Sequence, residues 1–166
     1  IVDVVNCFPV LFLIIIISTI LKPSIYNIMV IMGLCNWTAT ARLVRGEILR
    51  VREMEYVQAA VSLGATDSRI IFSHVIPNVM APIIVEGTMQ MAHAILTEAS
   101  LSYLGVGVQL PTASWGNMLM SANNLATLTG RPWQGVPAGA CILLAVLSIN
   151  FIGDGLRDAF DAKQKK

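Results

Sequence analysis

No charged residue interrupts the run Val4-Val-Asn-Cys-Phe-Pro-Val-Leu-Phe-Leu-Ile-Ile-Ile-Ile-Ser-Thr-Ile-Leu21. As an α-helix that rises 1.5 Å per residue, its 18 residues cover about 27 Å, close to the roughly 30 Å hydrocarbon core of a bilayer. A water-exposed helix of this length needs a polar face, and residues 10–17 have none. The run therefore predicts a membrane-spanning helix rather than part of a soluble core.

Three further segments with few charges predict three more spans, at about 24–42, 77–99 and 133–153, in addition to the first at about 4–21. The whole chain is 55% hydrophobic and 13% charged, whereas roughly a quarter of the residues in a soluble domain carry charge. The near balance of 11 Lys+Arg against 10 Asp+Glu gives no basic field of the kind that binds nucleic acid. We expect an all-α, polytopic transmembrane helical bundle that occupies residues 1–166 as one domain.

The charges are concentrated in two places, residues 42–74 and residues 154–166, which together hold 16 of the 21 charged residues. Lys and Arg are enriched on the cytoplasmic side of membrane proteins, and these two segments carry nine of the eleven basic residues. This bias predicts that the loop 43–76, the tail 154–166 and both termini of the chain are cytoplasmic. The segment 100–132 is then external.

The predicted cytoplasmic loop has 33 residues between Arg42 and His74, far more than a simple helix–helix connection requires. Residues 52–63 favour a short helix, with an apolar face formed by Met54, Val57 and Val61. Gly64 follows as the expected C′ residue.

A second short helix is expected to begin at Thr66 or Asp67, whose side-chain oxygens suit an N-cap. Pro77 is expected to end that helix, because a proline disfavours helical geometry at the preceding residue. The same ring suits the first turn of the next span. We therefore predict two short helices at an angle on the cytoplasmic face, and a sharp return to the bilayer at Pro77.

The segment Glu55-Tyr-Val-Gln-Ala-Ala-Val-Ser-Leu-Gly64 is separated by nine residues from His74-Val-Ile-Pro77, and together they resemble the EAA loop of ABC-importer permeases. Three downstream stretches resemble the dipeptide, oligopeptide and nickel branch of that family, specifically its C-type permease subunit. They are Leu101-Ser-Tyr-Leu-Gly-Val-Gly107, Pro111-Thr-Ala-Ser-Trp-Gly-Asn-Met118 and Asn150-Phe-Ile-Gly-Asp-Gly-Leu-Arg-Asp158.

The resemblance implies the fold of a type I importer permease, in a prokaryotic inner or plasma membrane. Its EAA loop forms a coupling helix that docks on a cytoplasmic ATPase. The positions it assigns to this coupling are Glu55, Gln58, Ala59, Ala60, Gly64, Asp67 and Pro77. Gln58 departs from the usual Glu of the motif, so a salt bridge to the ATPase at that position is not implied.

The partners implied are a second permease subunit, two cytoplasmic ATPase subunits, an extracytoplasmic substrate-binding protein and the lipid bilayer. ATP and Mg would be held by the ATPases, so this chain is expected to hold no cofactor and to be a non-catalytic subunit. Family permeases generally have about six spans. A start inside a hydrophobic segment without an initiating Met leads us to expect the C-terminal part of a longer protein.

Three polar residues inside the third predicted span, Glu86, Gln90 and His93, share one helical stripe at positions i, i+4 and i+7. Ionisable groups inside a membrane usually face a cavity or a partner, so this stripe is a candidate lining of the translocation path. Alternatively, Glu86 pairs with a neighbouring helix while the other two bond across an interhelical seam. Glu98, near the external end of the span, is expected to reach water or to cap a turn around Ser100-Leu-Ser102.

Two other functions use the same residues. An intramembrane enzyme or a stand-alone secondary transporter would employ Glu86 and His93, but no HExxH or GxSxG motif supports catalysis. A GxxxxGK[ST] phosphate loop is also absent, so the chain itself is not expected to hydrolyse ATP. The three cysteines have no metal-ligand spacing. Dipeptides, oligopeptides and nickel all remain open as substrates.

Overall fold

The computed structural model describes residues 2–7, 9–21 and 24–164, and within these ranges the chain is helical with no strand. The helices are α1 (Val2–Asn6), α2 (Val10–Ile20), α3 (Ile25–Arg52), α4 (Glu55–Ser62), α5 (Asp67–Ile70), α6 (Ile76–Tyr103), α7 (Trp115–Ser121), α8 (Leu125–Gly130) and α9 (Val136–Gln164). A π-helical turn, Ile71–Val75, joins α5 to α6, and a 3₁₀ turn, Pro132–Gln134, precedes α9. The expected all-α class is confirmed.

Helix α6 lies at the centre of the bundle, with α9 along one side, α3 along another and α7 packed against its end. Helices α6 and α9 pack closely at Gly153, where a Cβ would lie 2.6 Å from the Thr88 hydroxyl oxygen. The apolar core forms two clusters. One joins α2, α3 and the end of α6, and the other joins α3, α4, the π turn and the start of α6.

In the part of the chain that the structure describes, two continuous helical segments are long and apolar enough to cross a membrane, Asp67–Tyr103 and Pro132–Phe160. They contain the predicted spans at 77–99 and 133–153. The first predicted span differs, because α2 is an 11-residue helix that begins after Pro9. Proline lacks an N–H and its ring clashes with a carbonyl one turn earlier, so it favours a helix start over a helix interior. Phe8, inside the predicted span, lies outside the described residues.

The helix that contains the second predicted span extends beyond it, because α3 continues without a break from residue 42 to Arg52. The loop expected at 43–76 therefore begins with ten residues of helix. Residues 43–52 are mostly good helix formers, and Arg50 pairs with Glu47 at 2.8 Å in an i, i+3 salt bridge. Charge marks where a helix leaves the hydrocarbon region, and it does not end the helix. Helix α9 likewise continues through residue 153 to Gln164, while Lys165 and Lys166 lie outside the described residues.

The expected helix end at Pro77 is wrong. The chain passes from α5 through the π turn into α6, and Ile76 is helical with φ −54° and ψ −48°. The N–H of Ile76 donates to the carbonyl of Ile71, five residues back. Pro77, at the start of α6, lies where the hydrogen-bond pattern changes from the wider π spacing to the α spacing. Its missing N–H is tolerated there, and Asn78 Nδ2 donates to the His74 carbonyl at 2.7 Å.

Candidate coupling surface and membrane groove

Val57, which is 1% exposed, packs helix α4 against the bundle. It packs with Val51 of α3, Val75 of the π turn and Val79 of α6, all of them buried. Burying a side chain of this size stabilises the packed state by roughly 1.5–3 kcal/mol. This valine cluster connects α4 to the end of α3 and the start of α6.

The expected stop at Gly64 is confirmed by its backbone. Its φ of +77° lies in the left-handed region that glycine adopts without a steric cost. The N–H of Ala65 donates to the carbonyl of Ala60 at 3.1 Å, and the N–H of Gly64 donates to the carbonyl of Val61 at 2.9 Å. This pair of bonds is the Schellman arrangement that satisfies the last carbonyls of a helix. Helix α5 then begins after Thr66, and neither candidate cap makes a side-chain capping bond.

The Gln58 side chain makes a contact that a glutamate could not make. Its Nε2 donates to the carbonyl of Glu53 at 3.3 Å, across the turn that joins α3 to α4. The Ser62 hydroxyl in turn donates to the carbonyl of Gln58 at 2.9 Å. The amide at position 58 thus holds the α3–α4 turn, and this gives a structural reason for the departure from the usual Glu.

The other predicted coupling residues lie on the outer surface of this unit. Glu55, Ala59 and Asp67 are exposed, as is Gly64, while Ala60 is half-buried. Together with exposed apolar neighbours they form what we call the coupling surface. These neighbours are Tyr56, Val61, Leu63, Ile71 and Phe72.

Sequence reasoning missed these apolar neighbours and expected Val61 to pack inward with Val57. Val61 is instead 56% exposed, and Leu63 is 87% exposed. The signal available in the sequence was the apolar pair Ile71-Phe72, which lies outside any predicted span. Exposed apolar groups of this size, next to polar ones, are typical of a protein–protein contact.

The aromatic ring of Tyr56 lies against the imidazole of His74, with ring centroids 5.9 Å apart and planes inclined at 54°. His74 belongs to the π turn and Tyr56 to the first turn of α4. A π turn inside an α-helix often marks a functional position. The contact ties α4 to the joint of the α5–α6 segment a second time, beside the Val57 cluster.

The predicted stripe on α6 is partly assembled. Gln90 Nε2 donates to Glu86 Oε1 at 2.9 Å, within the same helix. His93 is exposed, and no hydrogen bond joins it to either residue in the described part of the chain. The first two residues therefore form a pair, and the histidine lies apart from it.

Glu86 also lines a groove that the sequence did not predict. Residues of α3, α6 and α9 line it, at the end of the bundle where charged residues are concentrated. The groove has a volume of about 430 Å³ and is lined by Leu43, Glu47, Arg50, Ala81, Pro82, Val85, Glu86, Met89, Arg157 and Phe160. It combines an apolar lining with two acidic and two basic side chains.

At the opposite end of α6, a tight network fixes the segment between α6 and α7. Ser102, fully buried, donates to Glu98 Oε1 at 2.7 Å and accepts from the Val108 N–H at 3.0 Å. A Cβ on Gly107 would overlap the Ser102 backbone and hydroxyl, and one on Gly116 would lie 2.5 Å from the Ala99 carbonyl oxygen. The expected cap by Glu98 around Ser100–Ser102 is thus made through the Ser102 hydroxyl.

The described residues contain no group of three or more His, Cys, Asp or Glu side chains that could hold a metal ion. Within the described residues, the fold is an α-helical bundle that contains two membrane-length helices and an organised connection between α3 and α6. The sequence of the whole chain, residues 1–166, matches the family model for the binding-protein-dependent transport system inner membrane component. The chain belongs to this family, and the resemblance to C-type permeases of ABC importers is confirmed.

Curated relatives cover nearly all of this chain. A putative peptide permease protein of Brucella ovis is 45% identical over 155 residues, which are 93% of this chain and 51% of the relative. The oligopeptide transport system permease protein of Bacillus subtilis is 40% identical over 99% of this chain and 53% of its own length. A glutathione transport system permease protein of Salmonella typhimurium is 40% identical over 98% and 53%. The chain thus spans about half the length of the relatives it matches.

Proposed function

We propose that this chain belongs to a non-catalytic permease subunit of an ATP-driven peptide importer, and that it is coupled to cytoplasmic ATPases through the coupling surface. The observation that carries the proposal is the construction of α4. The buried Val57 packs it with Val51 of α3 and Val79 of α6, and exposed apolar groups cover its outer side. Such an element could transmit a movement of a bound partner to the membrane helices.

In this proposal, ATP and Mg belong to two ATPase subunits, a second permease subunit completes the translocation path, and an external binding protein delivers the substrate. Peptides are proposed over nickel because the relatives are named as permeases for peptides, oligopeptides and glutathione. Four crossings, with the coupling surface and both termini cytoplasmic, agree with the position of nine of the eleven basic residues.

The docking part of the proposal is tested with Leu63, the most exposed of the apolar groups on the coupling surface. In the full-length protein, Leu63→Ser removes an apolar anchor while no buried contact is disturbed. We expect co-purification of the ATPase and ATP-driven peptide uptake to fall about tenfold, as when a contact of about 1.4 kcal/mol is lost.

The matched control is Leu104→Ser, which makes the same change at a 62% exposed position at the other end of α6. It should leave ATPase capture unchanged. Normal ATPase capture and uptake by the Leu63→Ser variant would show that the coupling surface is not the docking site.

The path-lining role of Glu86 is tested separately. Glu86→Gln removes the charge and keeps the length of the side chain, and we expect lower peptide uptake at normal assembly of the complex. His93→Gln provides the comparison, because His93 is exposed and separate from the Glu86–Gln90 pair. Unchanged uptake by both variants would show that Glu86 and His93 do not line the translocation path.

A further inference from the structure

Among the described residues, the groove between α3, α6 and α9 contains two charged side chains of opposite sign that make no ion pair. Of its four charged side chains, Arg50 and Glu47 neutralise each other at 2.8 Å. Glu86 accepts a hydrogen bond from the neutral Gln90 amide, and in the described part of the chain no cation lies within 4.0 Å of it. Arg157 likewise has no carboxylate within 4.0 Å among the described residues. The groove therefore presents one carboxylate and one guanidinium that do not pair with each other.

This arrangement selects the chemical class of the ligand. A half-buried carboxylate without a cation is costly next to apolar side chains, and a ligand with an ammonium group removes that cost. A carboxylate on the same ligand can form a two-pronged hydrogen-bonded pair with the Arg157 guanidinium. A zwitterion satisfies both groups, whereas a purely anionic ligand such as a lipid headgroup meets the carboxylates of Glu47 and Glu86 in the same groove.

The size and lining of the groove fit a small peptide. Its volume of about 430 Å³ lies in the range of roughly 300–1,000 Å³ that is usual for small-molecule sites. The apolar side chains Leu43, Val85, Met89 and Phe160 line the same space and would cover the peptide side chains. A free amino acid would leave part of this lining uncovered.

We propose that the groove is a binding site for a short zwitterionic peptide, with its ammonium on Glu86 and its carboxylate on Arg157. The inference rests on the proposed function, because it takes the peptide to be the transported substrate at the charged, cytoplasmic end of the helices. The site would hold the peptide after translocation and before release.

The test uses the full-length protein assembled with its partner subunits in phosphatidylcholine nanodiscs, without binding protein and without ATP. Saturation-transfer NMR, which detects weak binding, measures the affinity for dialanine, N-acetyl-dialanine and dialanine amide. We expect dialanine to bind at least tenfold more tightly than either blocked peptide, because each blocked peptide lacks one of the two charged groups. This comparison needs no variant and so does not depend on the folding of one.

Two variants then assign the charges. Arg157→Gln should bind dialanine and dialanine amide equally, since the partner of the carboxylate is gone. Glu86→Gln should bind dialanine and N-acetyl-dialanine equally. The controls Arg45→Gln and Glu53→Gln change exposed residues outside the groove and should keep the wild-type preference for dialanine.

Equal binding of all three peptides to the wild type would overturn the proposal, as would a preference that survives both groove variants. Dialanine binding that disappears in phosphatidylglycerol nanodiscs would assign the groove to an anionic headgroup and also overturn it. ATP-driven peptide uptake is measured in the same preparation with the binding protein added. If peptides are taken up but binding shows no preference for dialanine, the groove proposal fails and the proposed function stands. If dialanine is preferred but no peptide is taken up, the proposed function fails instead.

Discussion

The hydroxyl of Ser102 lies 2.7 Å from Glu98 Oε1 and donates a hydrogen bond to it, one turn apart on α6. The same oxygen accepts the N–H of Val108 at 3.0 Å, six residues further along the chain. A single buried hydroxyl thus connects the last turn of α6, an acidic side chain and the segment that leads to α7. This connection explains the glycine in the Leu101–Gly107 motif, because a Cβ at position 107 would overlap Ser102.

Replacing this hydroxyl should destabilise the end of α6. Ser102→Ala leaves the buried Val108 N–H without its acceptor and Glu98 without its donor, which we expect to cost about 1–3 kcal/mol. The measurement is thermal unfolding of the purified complex. Ser100→Ala is the control, because the Ser100 hydroxyl is exposed and donates to the Leu96 carbonyl of its own helix. Equal unfolding temperatures for the two variants would contradict the role of Ser102.

Close packing at Gly116 predicts a second loss of stability. A Cβ there would lie 2.5 Å from the Ala99 carbonyl oxygen and 2.6 Å from Ser102 Cβ, so α7 must move away from α6. We expect Gly116→Ala to destabilise the protein by about 1–3 kcal/mol through overpacking. Gly46→Ala adds the same methyl group within α3, where nothing lies within 4 Å. That variant should unfold at or slightly above the wild-type temperature, because alanine favours a helix.

The anchor of α4 predicts a local effect. Val57→Ala removes two methyl groups from the Val51–Val75–Val79 cluster and should cost roughly 1–3 kcal/mol. Because this loss falls on one short helix, limited proteolysis between α3 and α6 should accelerate about tenfold. Val61→Ala, at a position 56% exposed, should not change the cleavage rate. A cleavage rate in Val57→Ala equal to that of the wild type would show that α4 is held by other contacts.

The Gln58 contact predicts that restoring the usual residue of the motif weakens the α3–α4 turn. A carboxylate cannot donate to the Glu53 carbonyl, so Gln58→Glu should lose a hydrogen bond that contributes about 1 kcal/mol. Thermal unfolding and proteolysis of this turn would both report the loss. Glu53→Gln provides the control, since it changes a side chain of the turn and leaves the backbone acceptor in place. A Gln58→Glu variant as stable as the wild type would contradict the inference.

Much of the coupling unit was predictable, because its signals are local. Gly64 follows a short run of helix-forming residues. Its left-handed backbone allows hydrogen bonds to the last carbonyls of that same run, so no distant residue is needed. The ends of the neighbouring helices were harder to predict from the sequence. The end of α3 was misplaced because residues 43–52 contain charged side chains and were assigned to a loop. Their composition is equally typical of a solvent-exposed helix, which is what they form. Pro77 was misassigned because a π turn has no simple sequence pattern. The change from π to α hydrogen bonding next to this turn lets the helix continue although Pro77 has no N–H.

The all-α class, the membrane location and the transport-permease family could be predicted from the sequence, because long uncharged runs and clustered motifs lie along the chain. Which polar residues share a groove follows only from the packing of the helices. Glu86 on α6 and Arg157 on α9 are far apart in sequence and line one groove because those two helices pack along their lengths on either side of Gly153 and Thr88. Val57 joins three other valines for the same reason. Such contacts depend on the angles and distances between helices, which a linear pattern of residues does not specify.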